Sequence, residues 1–255
     1  MLRIFKSSKK NNLKSYFNLL EKYNLGSNGN YKENEIQILD KKDIKDIKKI
    51  NDNVGIIVKN SRYLMLNDPV KFPNGNLGTY SRIITNSALN GNIGSVVLPI
   101  LPTKEFVLNI IYRHAVRSDD GGWRIEAPRG SGDINELAHK TALRELGEEQ
   151  GYSAELVHLG YCDSDSGMTT GKVSIYVAYI NGIVETNKDN GESGMSTIVL
   201  TKSELLKLIN KGEKEIYVKC KDGKIVKKTA YLRDGFLLSA ISQLIAYEYV
   251  TENII

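Results

Sequence analysis

Residues 130–152 read GSGDINELAHKTALRELGEEQGY. The spacing predicts a helix from about position 134 to position 150. Asp133 is its expected N-cap, with Glu136 three residues on, and Gly151 is its C-terminal stop. At about 100° per residue, Ile134, Leu137, Ala138 and Ala142 share one arc of that helix. Glu145, Glu148 and Glu149 fall inside the same arc. An apolar stripe that turns acidic midway breaks the binary pattern, and such breaks are expected at functional sites.

Three carboxylates at i, i+3 and i+4 repel one another, and partial burial raises the cost of ionising them. A hard divalent cation removes the conflict. Mg2+ takes oxygen ligands, keeps several waters, and is bound by a few carboxylates together with substrate phosphates. Arg144 lies one turn before Glu148 and is placed to orient that carboxylate. Glu136, two turns before Arg144, is placed to hold the arginine in turn. The plainer alternative is a solvated helix face with ordinary surface ion pairs.

The fixed pattern is Gly130, five residues, Glu136, seven residues, then Arg144-Glu145-Leu146-Gly147-Glu148-Glu149-Gln150-Gly151-Tyr152. It resembles the Nudix box, the signature of hydrolases acting on nucleoside diphosphates linked to another moiety. The resemblance implies that Glu145, Glu148 and Glu149 ligate Mg2+, with Mn2+ as a substitute, and that Glu136 and Arg144 form the supporting ion pair. It adds the backbone carbonyl of Arg129 as a further ligand. The entry to the box, Trp123-Arg124-Ile125-Glu126-Ala127-Pro128-Arg129-Gly130, resembles the Glu-x-Pro-x-Gly segment of ADP-ribose and ADP-sugar pyrophosphatases. Phe72-Pro73-Asn74-Gly75 and Gly78-Thr79-Tyr80 resemble the N-terminal strands of that subfamily. Val96–Ile100 and Tyr112-Arg113-His114 resemble its first core strands. Arg129 departs from the small residue more usual there, and Ile111 from the Gln common before Tyr-Arg. The similarity runs over about residues 54–245.

The resemblance implies an α+β chain built as a Nudix-type α/β/α sandwich with a mixed sheet. The expected division is a basic helical extension over 1–53, a small β module over 54–93, and the hydrolase domain over 94–255. Helical spacing appears at 13–23, 42–50, 201–210 and 232–250. Strand signals appear at 54–58, 63–66, 79–85, 95–101, 106–112, 156–161 and 173–180, with a hairpin around Asp222-Gly223.

The implied reaction is Mg2+-dependent attack of water on a pyrophosphate phosphorus, converting ADP-ribose or an ADP-sugar to AMP and a sugar phosphate. The general base is either a box glutamate, Glu148 among them, or an acid of the loop 185–193, which offers Glu185, Asp189 and Glu192. Glu192 is the choice, since glycines flank it. Arg113, Arg117 and Arg129 are candidates for phosphate or ribose contacts, because guanidinium groups bind phosphate bidentately. Trp123 and Tyr80 are candidates for stacking on adenine. Each of these five side chains also reads as an ordinary surface or core residue. His114, His139 and His158 do not cluster and suggest no zinc site. Alternatives within the family are NADH, dinucleoside polyphosphates or capped RNA. A non-catalytic ADP-ribose sensor is the other class, and degraded box glutamates would mark it; here all are intact.

The chain has 255 residues, 41% of them hydrophobic, enough for a sizeable core. No apolar run approaches the roughly 20 residues of a membrane span. The first residues are basic but carry no apolar stretch behind them, which argues against a secretory signal. Cys162 and Cys220 stand apart, so a reducing cytoplasm is expected. Residues 1–53 hold twelve Lys and Arg against seven Asp and Glu, a surplus equal to the net charge of +5, and the remainder is balanced. Acids alternate with these lysines, which favours a solvated extension over a nucleic-acid arm. The expected partners are therefore a small-molecule nucleotide and, by resemblance only, a second copy in a homodimer, with neither membrane nor nucleic acid.

Overall fold

The computed structural model describes residues 9–26, 29–187, 192 and 194–253. The chain opens with α1 (Lys9–Tyr23), β1 (Gln37–Ile38), α2 (Ile44–Ile47), β2 (Gly55–Lys59), β3 (Tyr63–Lys71), β4 (Leu77–Thr85) and α3 (Asn86–Leu89). Next come β5 (Gly94–Ile100), β6 (Phe106–Tyr112), α4 (Arg117–Asp120), β7 (Trp123–Glu126), β8 (Arg129–Gly130) and α5 (Ala138–Gln150). The remainder is β9 (Tyr152–Asp163), β10 (Thr169–Thr170), β11 (Lys172–Ile183), β12 (Ser196–Leu200), α6 (Lys202–Lys211), β13 (Glu213–Lys219), β14 (Ile225–Tyr231) and α7 (Gly235–Asn253). These elements form two compact units. One takes in the described residues up to 91 together with 165–171, and the other takes in 92–164 and the described residues from 172 onward.

In the first unit, β3 pairs antiparallel with β1, β2 and β4, and β10 joins the edge of β4 in parallel. Helix α1 buries Tyr16, Phe17, Leu19 and Leu20 against Ile56, Leu64, Leu66 and Ile84. The segment expected to be one helix over 42–50 is instead a 3-10 turn, Lys41–Asp43, followed by the single turn of α2. Asp40 and Asp43 cap each other's ends there, which terminates the chain's extended run before Lys41. A charged side chain, Asp68, lies deep in this unit beside the buried Asn67. Asp68 accepts from the Tyr16 hydroxyl at 2.5 Å and pairs with Arg82 at 2.6 Å. Burial and the adjacent carboxylate push the Tyr16 hydroxyl far above its usual range.

The second unit is a mixed sheet between helices. Its strand order is β13-β14-β7-β6-β5-β11-β9, with β12 added to β6 and β8 to β5. Parallel pairing of β5 with β11 and of β7 with β14 sits beside antiparallel pairing elsewhere. Successive side chains of a strand face opposite ways. Val96 and Leu98 of β5 therefore pack with α6 (Leu205, Leu208) and α7 (Leu237, Ala240, Ile241, Leu244). Val97 packs on the other face with Ala142 and Leu146 of α5. The result is the α/β/α sandwich expected from the sequence. Strand β12 was not among the expected elements. It is a short run that the preceding glycines disguise as loop, and its pairing with β6 covers a strand edge.

Replacing Asp68 by Asn leaves the Arg82 guanidinium without its buried counter-charge. We expect a loss of about 3 kcal/mol in chemical denaturation, and a Tyr16→Phe variant should lose less, since only a neutral partner is removed.

Candidate active site

The acidic segment does form a helix, but it starts four residues later than the spacing suggests. Asn135 has φ 64°, in the left-handed region, and this breaks the run before Ala138. Ile134 and Leu137 consequently face solvent, at 76% and 63% exposure, instead of extending the apolar stripe. Asp133 does not cap the helix; its backbone N–H donates to Glu136 Oε2 at 3.0 Å. At the far end Gly151, φ 76°, closes α5 with its N–H on the Gly147 carbonyl, as the sequence indicates.

Arg144 is the hub. Its Nε and Nη2 donate to the two oxygens of Glu136, each at 3.1 Å. Its Nη1 donates to Glu145 at 2.8 Å and to Glu148 at 2.9 Å, and Nη2 also reaches the Ser131 carbonyl at 3.0 Å. Thr141 Oγ1 adds a hydrogen bond to Glu136 at 2.9 Å. The guanidinium pulls the Glu136 carboxyl down to about pKa 2, and the surrounding acids raise the Arg144 guanidinium further.

Glu149 has the opposite environment. It is 2% exposed and its Oε2 accepts from Asn109 Nδ2 at 2.6 Å. Burial, then the negative charges of Glu192 and Glu145, push its carboxyl up to about 8, against a smaller opposing effect of hydrogen bonds from Asn109 and the Arg129 backbone. Burial raises the Glu145 carboxyl too, and Glu148 and Glu192 reinforce the shift while Arg144 resists it. Glu145 lies directly over Gly130. A Cβ at that position would stand 1.9 Å from Glu145 Oε1, so any side chain there must push the carboxylate aside.

Glu192 is thus close enough to bias both buried acids. Glu185 is exposed, and Asp189 lies outside the described residues. Arg113 reaches Glu126 with Nε at 3.0 Å and Nη2 at 2.6 Å. Arg129 Nη2 reaches the same Glu126 oxygen at 3.2 Å and Asp234 at 3.5 Å, with its guanidinium 4.9 Å from the Phe236 ring centre. Arg117 is exposed on α4, apart from this cluster of ion pairs. Trp123 packs edge-on to Tyr112 at the margin of the core. Tyr80 belongs to the first unit, where its hydroxyl donates to the Gly167 carbonyl at 2.7 Å.

No family model and no curated protein matches the chain. Among solved structures it is similar to one described as an ADP compounds hydrolase, with a TM-score of 0.59 and 17% identity. The match covers 78% of this chain and 93% of that one. The fold is Nudix-like. In this unit α5 presents Glu149 to Asn109 in the middle of β6 and Glu145 to the backbone of Gly130 in β8.

Among the described residues no three His, Cys, Asp or Glu side chains already form a metal-binding group. Arg144 holds Glu145 and Glu148 by one oxygen each, as described above. The donor set nonetheless suits a hard cation. Its donors are oxygens, Glu149 and Glu145 are desolvated and repel one another, and only Glu145 of the two is hydrogen-bonded to Arg144. Asn109 and Asp234 were not among the residues singled out in the sequence, and Glu126 entered only as part of the segment leading into the box, with no role assigned. Asn109 had a signal, a lone amide in the buried strand FVLNIIY, and Glu126 shares the short buried strand WRIE with a second charged residue, Arg124. Asp234 had none beyond its position before α7, where its carboxylate accepts from the Leu237 N–H.

Two outcomes follow from this geometry. In metal-free protein the Glu149 carboxyl keeps its proton to about pH 8 when folded and to about 4.5 when unfolded. Its contribution to stability is therefore full below pH 4.5 and is lost as pH rises through 8. Denaturation curves across pH 5–9 should show this decline in the wild type and not in Glu149→Gln. Gly130→Ala should displace Glu145, and a thermal melt should fall by several degrees.

Proposed function

We propose that the second unit is a divalent-metal-dependent pyrophosphohydrolase acting on a nucleoside diphosphate linked to another group, ADP-ribose or an ADP-sugar first among them. The observation that carries this reading is Glu149. A carboxyl buried to 2% exposure, raised to about 8 and facing Glu145 and Glu192, is unfavourable in an inert helix and favourable in a cation site. The pattern around it supports the same view, as does the likeness of fold to a protein described as an ADP compounds hydrolase.

In this reading Glu145, Glu148 and Glu149, with the Arg129 carbonyl, hold Mg2+ or Mn2+. Such an ion, when bound, neutralises phosphate charge and acidifies water. Arg144 keeps Glu145 and Glu148 on the site side of α5, and Glu136 keeps Arg144 extended. Arg113 and Arg129 stand ready for the two phosphates, each already oriented by Glu126. Glu192 takes the proton from the attacking water. The water oxygen bonds to one phosphorus, the bridging P–O bond breaks, and two phosphomonoesters leave. Arg117 and Trp123 are candidates for the remaining contacts to the nucleotide. A homodimer and a cytoplasmic location belong to the same proposal; no helix of the described residues is long and apolar enough to cross a membrane.

The test is AMP release from ADP-ribose, ADP-glucose, NADH and diadenosine polyphosphates with Mg2+ and with Mn2+. We expect ADP-ribose or an ADP-sugar to lead, chelation to stop turnover, and Glu149→Gln to lower kcat by about 100-fold or more with unchanged circular dichroism. Undiminished turnover in that variant refutes the metal assignment. Arg113→Ala should instead raise KM for every diphosphate tested.

A further inference from the structure

The two arginines beside the acids end on one carboxylate. Arg113 Nη2 and Arg129 Nη2 both donate to Glu126 Oε2, at 2.6 Å and 3.2 Å, so their guanidiniums stand side by side. Glu149 acts electrostatically on Arg113, which places the pair next to the buried acids of α5. The two are held differently. Glu126 takes Arg113 through two nitrogens, Nε and Nη2, which fixes the plane of that fork as well as its reach. Arg129 meets its two acids, Glu126 and Asp234, through Nη2 alone. Contacts at one nitrogen pin a corner of the group and leave its plane free to turn. The Arg129 Nε is buried without a hydrogen-bond partner, and among the described residues no hydrogen bond engages Nη1.

The start of α7 supplies what the acids do not. The Arg129 guanidinium lies over the Phe236 ring, 4.9 Å from its centre. Phe236 is half-buried and packs against the core of the second unit. Its place is set by Asp234, which caps the helix. One oxygen of that carboxylate accepts from the Leu237 N–H at 2.8 Å, and the other faces Arg129 at 3.5 Å. A guanidinium laid on an aromatic face keeps its in-plane N–H groups available to acceptors. Core packing accounts for an apolar residue at position 236. It does not require a ring there, under a cation whose side chain is 29% exposed.

We propose that Phe236 is a positioning residue: its ring fixes the plane of the Arg129 guanidinium, so that Nη1 meets a substrate phosphate in one orientation. A fork already held in its binding geometry loses less freedom when the ligand arrives. The effect therefore falls on affinity for the diphosphate and not on bond cleavage. The inference rests on the reading of Arg129 as a phosphate contact given above.

The test is calorimetric binding of α,β-methylene-ADP, whose bridging carbon resists hydrolysis, to the full chain with Mg2+, beside the kinetics of ADP-ribose. Phe236→Leu should raise Kd about fivefold and KM in parallel, with kcat unchanged. Phe236→Tyr, which keeps the ring, should bind as the wild type does. Arg129→Ala should raise Kd about tenfold. Adding Phe236→Leu to it should change nothing further, since residues that act through one contact are not additive. A merely structural role at position 236 would weaken binding equally in both backgrounds. Should Phe236→Leu fail to fold by circular dichroism, Phe236→Met, of similar volume, carries the same expectation. Wild-type affinity in Phe236→Leu, or effects of Phe236→Leu and Arg129→Ala that multiply, overturns the proposal. So does a wild type that does not bind the analogue. A wild type that binds it but releases no AMP from ADP-ribose refutes hydrolysis instead, and the binding constants still decide the role of Phe236.

Discussion

The guanidinium of Arg144 holds together a loop and a helix that would otherwise repel. It binds both oxygens of Glu136, one oxygen each of Glu145 and Glu148, and the carbonyl of Ser131. A planar group with five donors in a rigid fork can serve this many acceptors at once, and a lysine cannot. The loop from Gly130 to Leu137 lacks regular structure after β8, so these bonds are what fix its path against α5. Gly130 is the other half of the arrangement, because the absence of a side chain lets Glu145 lie against the backbone there.

The acids around this hub are treated in two ways. Glu136 is fully matched, by Arg144, Thr141 and a backbone N–H, and its carboxyl is held well below the usual range. Glu149 is buried with an amide as its nearest side-chain donor and two acids as electrostatic neighbours, and its carboxyl rises. Matched ions stabilise a fold, whereas a carboxyl left in conflict signals a position shaped for something other than stability. Arg124, locked to Asp120 at 2.6 Å, and Arg113, held by Glu126 at 2.6 Å, are both matched and differ in exposure, 8% against 35%.

Much of this was legible before any coordinates. The broken binary pattern at Glu145, Glu148 and Glu149 located the acidic face, and Gly151 its end. The start of α5 was not legible, since the apolar spacing of Ile134 and Leu137 mimics a helix and nothing local reveals the left-handed Asn135. The partners of the acids were only half legible. Asn109 breaks an apolar strand, but that it meets Glu149 depends on how β6 packs against α5, a contact 40 residues apart in sequence. Arg129 reads as a departure from a small residue; its explanation, Asp234 and Phe236 at the head of α7, is a hundred residues further on.

The β9–β11 connection has a consequence for how the chain can be divided. Residues 165–171 belong with the first unit, where Thr169 and Thr170 pair in parallel with Ile83 and Ile84 of β4. The polypeptide therefore leaves its second unit and comes back within eight residues. A single scission near residue 91 does not yield two self-sufficient fragments: the N-terminal piece loses a strand from its rim, and the C-terminal piece keeps a segment with nothing to pair. Exchange of either unit by one cut and one join is closed to this architecture, because each takes its chain from two stretches of the sequence.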